Sequence, residues 1–316
     1  IDWRIRFRSP DKSFGKDVMV VLLDEAIMDQ FPCRSPVPRG MLARLIQIAD
    51  EGGARFIGLD VFLKNLTSED RDNELLMAIK KSGKVVPVSA LREENGQYRL
   101  DFPHEAFLNA AFATGVADFP INPIDQRIRE LQVYYEVEGK RVPALSSSLF
   151  LLDQGEKVKP SKLVGMERFS EKWPSMNLDS LNRIFINYQG PPASSNPDRN
   201  IIRTLPASAV LTGLIPKAWF KNKFVLIGAG YADNTDSFRT PFYSRLYDYD
   251  MMPGVEIHAN ALATILDGKT INTLPVAVSF MIILFFSLTL LLVEKWFNAI
   301  ISAIALAVLW SGYSVF

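Results

Sequence analysis

The chain has 316 residues, with Lys+Arg and Asp+Glu balanced at 35 each, so no bulk positive field marks it for nucleic acid. A single cysteine excludes an intrachain disulfide framework, and two histidines exclude a multi-histidine metal site. About 270 residues precede a strongly apolar C-terminal stretch, enough for one large domain or two small ones.

Ile1–Arg8 mixes aromatic and basic residues as membrane-flanking segments do, and the chain starts at Ile1 rather than Met, so a further membrane helix is expected before it. Asp17–Asp24 (DVMVVLLD) reads as a strand buried on both faces. The turn Pro36–Gly40 leads into Met41–Asp50, where Met41, Leu42, Leu45, Ile46 and Ile48 form a helical stripe that Gly52-Gly53 stops. Ala54–Asp60 is a second buried strand. Thr67–Asp70 opens another helix, with Leu75, Leu76 and Ile79 as its buried face. Lys84–Val88 is a third apolar run, in which Pro87 points to a sheet edge or strand end.

This order predicts an α/β fold with a mixed, mostly parallel sheet flanked by helices, joined by right-handed crossovers and followed by transmembrane helices. Residues 91–200 are less regular: Leu131–Val137 and Leu181–Tyr188 read as strands, Pro143–Leu152 as a helix, and Gln189–Pro197 as a loop. Pro206 starts a helix to Leu211, and Phe224–Ile227 is a buried strand closed by Gly228-Ala-Gly230. Gly254–Leu266 is a helix or a strand-to-helix segment. Pro275–Val293 then carries no charge over 19 residues, enough to cross a bilayer core of about 30 Å. After Glu294-Lys295 the chain is again almost uncharged from Trp296 to Phe316. Membrane helices are expected at about 274–293 and 297–316, with residues 1–272 as a separate domain.

Asp24 and Asp60 end two candidate parallel strands, where open α/β sheets bind ligands; they bind a cation or hydroxylated ligand, or they cap turns and pair with Arg39 or Arg44. Gly228-Ala-Gly230 lacks the third glycine of a dinucleotide loop and reads as a turn. Asp233–Asp236 matches only part of a calcium loop, which leaves a solvated loop or Asp236 tying that loop down. Glu256, His258 and Asn260 share a face only in an extended segment. His258 is an acid, base or pH sensor, or it belongs to a buried hydrogen-bond network. Cys33 stands beside Pro32 in a loop, as an ordinary surface or half-buried residue. No nucleophile elbow, zincin or C-x-x-C motif occurs, and no cofactor is expected.

Val20–Glu25, Pro36–Arg39, Gly53-Ala54 and Ile57–Val61 together resemble the start of the type-two CHASE domain. Lys223–Gly228, Asp236–Pro241 and Met252–Asn260 resemble its second half. The resemblance covers about residues 1–270. It departs at Ser35-Pro36-Val37, where the family often has tryptophan, and in 91–200 it is carried by Asp125–Arg129. It implies an extracytoplasmic sensor of a multi-pass inner-membrane receptor. Such a receptor contacts membrane lipid, forms a homodimer, meets an extracytoplasmic ligand or protein, and regulates a cytoplasmic cyclase or kinase. The candidate ligand residues are Asp24, Arg39, Asp60, Asp236, Glu256 and His258. The competing expectation is a membrane-anchored metal-dependent hydrolase using Asp24, Asp60 and His258.

Overall fold

The computed structural model describes residues 2–94, 97–159, 161–166, 178–179, 181–194, 200–232, 235–244, 250–271, 276–296 and 299–313. The chain divides into two units, one of Pro10–Thr270 and one of Ile1–Ser9 with Ile271–Phe316.

The larger unit is built on a seven-stranded sheet of order β10-β1-β11-β2-β3-β4, with β5 also paired to β3. These strands are β1 (Val18–Leu23), β2 (Phe56–Asp60), β3 (Val85–Glu94), β4 (Gln97–Asp101), β5 (Gly115–Val116), β10 (Arg203–Pro206) and β11 (Phe224–Ala229). Every pairing is parallel except β3 with β4. The predicted mostly parallel sheet flanked by helices is therefore present. The smaller strands are β6 (Glu130–Gln132), β7 (Tyr134–Val137), β8 (Lys140–Pro143), β9 (Arg183–Phe185), β12 (Ser237–Phe238) and β13 (Met252–Pro253). They pair β6 with β9, β7 with β8, and β12 with β13.

Strand alternation divides the core. Met19, Val21, Leu23, Ile57, Leu59, Val225 and Ile227 join one apolar cluster with α3 (Arg39–Glu51), α4 (Glu69–Ser82), α5 (Glu105–Ala110) and α7 (Ala207–Leu211). A short α2 (Glu25–Met28) adds Ile27 and Met28. The β1–α3–β2–α4–β3 path runs one way across the sheet, so right-handed crossovers place these helices on one face. The other face carries α6 (Leu145–Asp153) and α8 (Gly254–Leu266). Gly58 and Gly228 make room there: a Cβ at Gly58 would lie 3.1 Å from Leu149, and one at Gly228 2.5 Å from Val255.

Several expected elements shift for local reasons. Pro87 neither ends β3 nor sits at the sheet edge. It is the last residue paired with β2, opposite Leu59, and β5 takes over at Val88, so the missing N–H falls where one ladder ends. Leu131–Val137 is two strands rather than one, because β6 pairs with β9 and β7 turns back on β8. Leu181–Tyr188 shortens to β9, and β11 runs two residues beyond Ile227 into Gly228-Ala229. Pro206 is the N-cap of α7, and Gly254–Leu266 is helical throughout.

The smaller unit contains α1 (Asp2–Phe7), α9 (Val276–Trp296) and α10 (Ala299–Tyr313). Phe280, Phe285, Leu291, Leu306 and Trp310 are exposed on the last two. Among the described residues no helix is long and apolar enough to cross a membrane. Residues 274–275, 297–298 and 314–316 of the expected spans lie outside the described residues.

Candidate functional site

Helix α8 organises the site. Its positions 254–265 are all buried, although it carries Glu256, His258, Asn260 and Thr264. Asn260 and Thr264 are satisfied along the helix: Asn260 Nδ2 donates to Glu256 O at 2.8 Å and Thr264 Oγ1 to Asn260 O at 2.7 Å. Thr264 Oγ1 also accepts from the Asn187 N–H at 2.9 Å, tying the chain after β9 to α8.

Glu256 points a different way. It is 2% exposed, and its Oε2 accepts from the Ala193 N–H at 3.1 Å and from Asn200 Nδ2 at 3.3 Å, while Oε1 has no hydrogen-bond partner. Burial outweighs those two donors and pushes its carboxyl up to about 7. His258 is fully buried, and burial drives its imidazole down to about 3, so it stays neutral. Its Nε2 lies 3.1 Å from Ala117 O; a carbonyl only accepts, so the proton is on Nε2. Its ring lies 4.3 Å from that of Phe119, which in turn meets Phe238 edge-on at 6.0 Å.

The first turn of α8 receives Asp236. The Gly254 N–H donates to Asp236 O at 2.9 Å, and a Cβ at Gly254 would lie 2.4 Å from Asp236 Oδ2. A helix N-terminus favours the carboxylate, yet burial, and then the charge of Asp118, push Asp236 up to about 6. Asp60, at the end of β2, is 8% exposed with Oδ2 unpartnered. Burial and then Asp236 push it well above the usual carboxylate range. Asp118, Asp236 and Asp60 thus form a row of mutually repelling acids beside α8.

Asp60 and Asp236 therefore come together, with Glu256 and His258 on the adjoining helix. The other two candidates lie elsewhere. Asp24 caps α7 across the chain, accepting from the Ser208 N–H at 2.9 Å and its hydroxyl at 2.7 Å. Arg39 pairs with Asp72 of α4 at 3.5 Å, donates to Asn65 O at 3.1 Å and covers the Phe107 ring, with burial lowering its pKa. Asp233 and Asn234 of the partial calcium loop lie outside the described residues. Among the described residues no group of three or more His, Cys, Asp or Glu side chains is placed to hold a metal ion. Cys33 is exposed.

Asp118 borders a cleft beside these acids, of about 640 Å³, with Leu91, Glu93, Tyr98, Tyr135 and Arg183 among its walls. The Leu91 N–H donates to Asp118 Oδ2 at 2.8 Å, the Tyr135 hydroxyl donates to Asp118 O, and burial raises the Asp118 carboxyl. Sequence reasoning missed this cleft. Its residues are scattered over 91–183 and converge through the β3–β4 hairpin, the segment 118–121, β7 and the distant β6–β9 pairing. The available signal was the i, i+2 spacing of Leu91 and Glu93 on one strand face, beyond a Pro87 read as a sheet edge or strand end.

Two stretches that resemble the same family meet beside this site. In Asp125–Arg129, Arg129 grips Asp125 through two nitrogens at 3.0 and 2.5 Å. Arg127 Nη1 donates to Thr240 O at 2.8 Å and the Ile128 N–H to Arg239 O at 2.8 Å, docking this stretch on Asp236–Pro241. No curated protein and no solved structure matches the chain. A family model described as the CHASE2 domain matches residues 1–292, and the chain belongs to that family of extracellular sensory domains.

Proposed function

We propose that the chain is the sensory input part of a transmembrane signalling receptor. In this reading residues 1–272 lie outside the cytoplasm, and the helices near 274–293 and 297–316 cross the membrane. They pass the state of the domain to a cytoplasmic nucleotide cyclase or kinase, within a homodimer.

The family match over residues 1–292 carries the proposal, because it spans the sensor-like body and most of α9. The character of α9 supports the membrane part. Its 21 residues rise about 31 Å, and apolar side chains such as Phe280, Phe285 and Leu291 are exposed on it. The hydroxyls at its centre are satisfied inside the helix, Ser287 donating to Ile283 O and Thr289 to Phe285 O, each at 2.8 Å, as suits a lipid surrounding.

Coupling would run through α8. A ligand entering the cleft meets Asp118 and Phe119. Phe119 touches His258 of α8, and Asp118 acts on Asp236 at the first turn of α8. The far end of α8 leads through Asp267–Leu274 to α9. A state-dependent difference of about 1–3 kcal/mol in ligand binding gives useful regulation. The test is to insert one to four residues between Gly268 and Leu274 of the full-length receptor. Effector output is expected to vary with inserted length and helical phase; unchanged output would rule out coupling by this route.

A further inference from the structure

We propose that the cleft bordered by the β3–β4 hairpin, β6, β7 and β9 binds a small organic cation, a protonated or quaternary amine carried on an apolar or aromatic body. This inference rests on the sensor reading and names the ligand class of its cleft. The volume, about 640 Å³, falls in the range of small-molecule sites.

Its charges select the ligand. Three carboxylates, Glu93, Asp118 and Glu136, face one guanidinium, Arg183. Arg183 is already engaged, donating to Gln132 Oε1 at 2.9 Å and to Glu130 Oε2 at 3.4 Å. The neighbouring cations are committed as well. Arg92 pairs with Asp101 at 2.9 Å, Arg99 with Glu94 at 3.2 Å, and Arg141 covers the Tyr134 ring at 5.1 Å. The cleft is thus left with a negative excess that repels anions and attracts cations.

The remaining walls set the rest of the molecule. Tyr98 and Tyr135 supply aromatic surface for a cation, and Phe119, Ile121 and Leu181 supply apolar wall for its body. A bare divalent ion fits poorly, since no group of three or more acidic, His or Cys side chains among the described residues is placed to hold one. Asp118 is preorganised: its Oδ2 is fixed by the Leu91 N–H, so its orientation is set before a ligand arrives.

The experiment titrates the full-length receptor, in nanodiscs, with four probes of similar shape. Phenethylamine and benzyltrimethylammonium are cations, 2-phenylethanol is neutral and phenylacetate is an anion. Calorimetry is expected to show both cations binding at one shared site, with 2-phenylethanol and phenylacetate at least about tenfold weaker. Glu93→Gln and Glu136→Gln remove exposed charges without touching the fold, and each is expected to weaken the cations severalfold. Asp118→Asn keeps the acceptor for Leu91 and is expected to weaken them about tenfold. Cation binding no tighter than 2-phenylethanol, absence of cation binding at millimolar concentration, or affinity unchanged in Glu93→Gln/Glu136→Gln would overturn the assignment. The two proposals fail separately. Amine binding with no effect on effector output keeps the cleft and removes the sensor role. Output that follows the connector insertions without amine binding does the reverse.

Discussion

The two faces of the sheet solve the burial problem in opposite ways. Helix α3 turns Met41, Leu42, Leu45, Ile46 and Ile48 inward, and its layer is an almost purely apolar cluster. On the other face, α8 is buried at every position from 254 to 265, yet it places Glu256, His258, Asn260 and Thr264 in the interior, with Asp236 against its first turn. The lesson is a division of labour. One layer rests on apolar burial with a single buried ion pair, Arg39–Asp72, described in it, and the other holds several carboxyls and an imidazole whose protonation the fold itself has shifted.

The comparison breaks first at α3. Leu45 is 1% exposed, and Leu45→Ala is expected to destabilise the domain by about 3–4 kcal/mol through lost burial and a residual cavity. Denaturant unfolding at pH 5 and pH 8 should give the same loss at both. A loss that changes with pH would mean the layers are not independent.

The next effect belongs to Glu256. Its carboxyl, ordinarily at 4.5, is raised to about 7 in the folded state, so the folded chain holds a proton that the unfolded chain releases between those values. Stability from this group is therefore intact below about pH 4.5 and lost as pH rises through about 7. Glu256→Gln keeps an acceptor for Ala193 and Asn200 and removes the charge. It is expected to stabilise the domain by up to about 3 kcal/mol at pH 8.5 and by little at pH 4, read as a flattened stability profile. Thr264→Val, which strands the buried Asn187 N–H, should cost about 1–3 kcal/mol at every pH. The smallest effect lies outside both layers: Lys217 and Glu51 pair at 2.5 Å with both side chains about half exposed, and Lys217→Ala should leave the unfolding midpoint essentially unchanged.

The same contrast explains what was legible in the sequence. The β1–α3–β2–α4–β3 path could be read because its strands are continuous apolar runs and its helices carry one apolar stripe over a charged back. Helix α8 has no such stripe, since it is covered on all sides, and Gly254–Leu266 stayed between helix and strand. Asp60 and Asp236 were legible as acids at strand and loop positions. Their proximity was not, because it depends on β11 lying between β1 and β2 and carrying the chain back to Asp60, paired there with Gly228. Asp24 and Arg39 looked equally suitable, and the fold used them to fasten α7 and α4. The cleft was illegible because its walls are short strands whose partners lie far away in sequence, as β6 and β9 do.

A receptor that senses the outside needs its sensory body outside the cytoplasm. Cys33 is exposed and is the single cysteine of the chain, which makes it a natural reporter. Intact cells carrying the full-length receptor, with any cysteine outside residues 1–316 replaced, are treated with a membrane-impermeant maleimide. A body outside the cytoplasm leaves Cys33 labelled before permeabilisation; labelling that begins only after the membrane is opened would put the body inside.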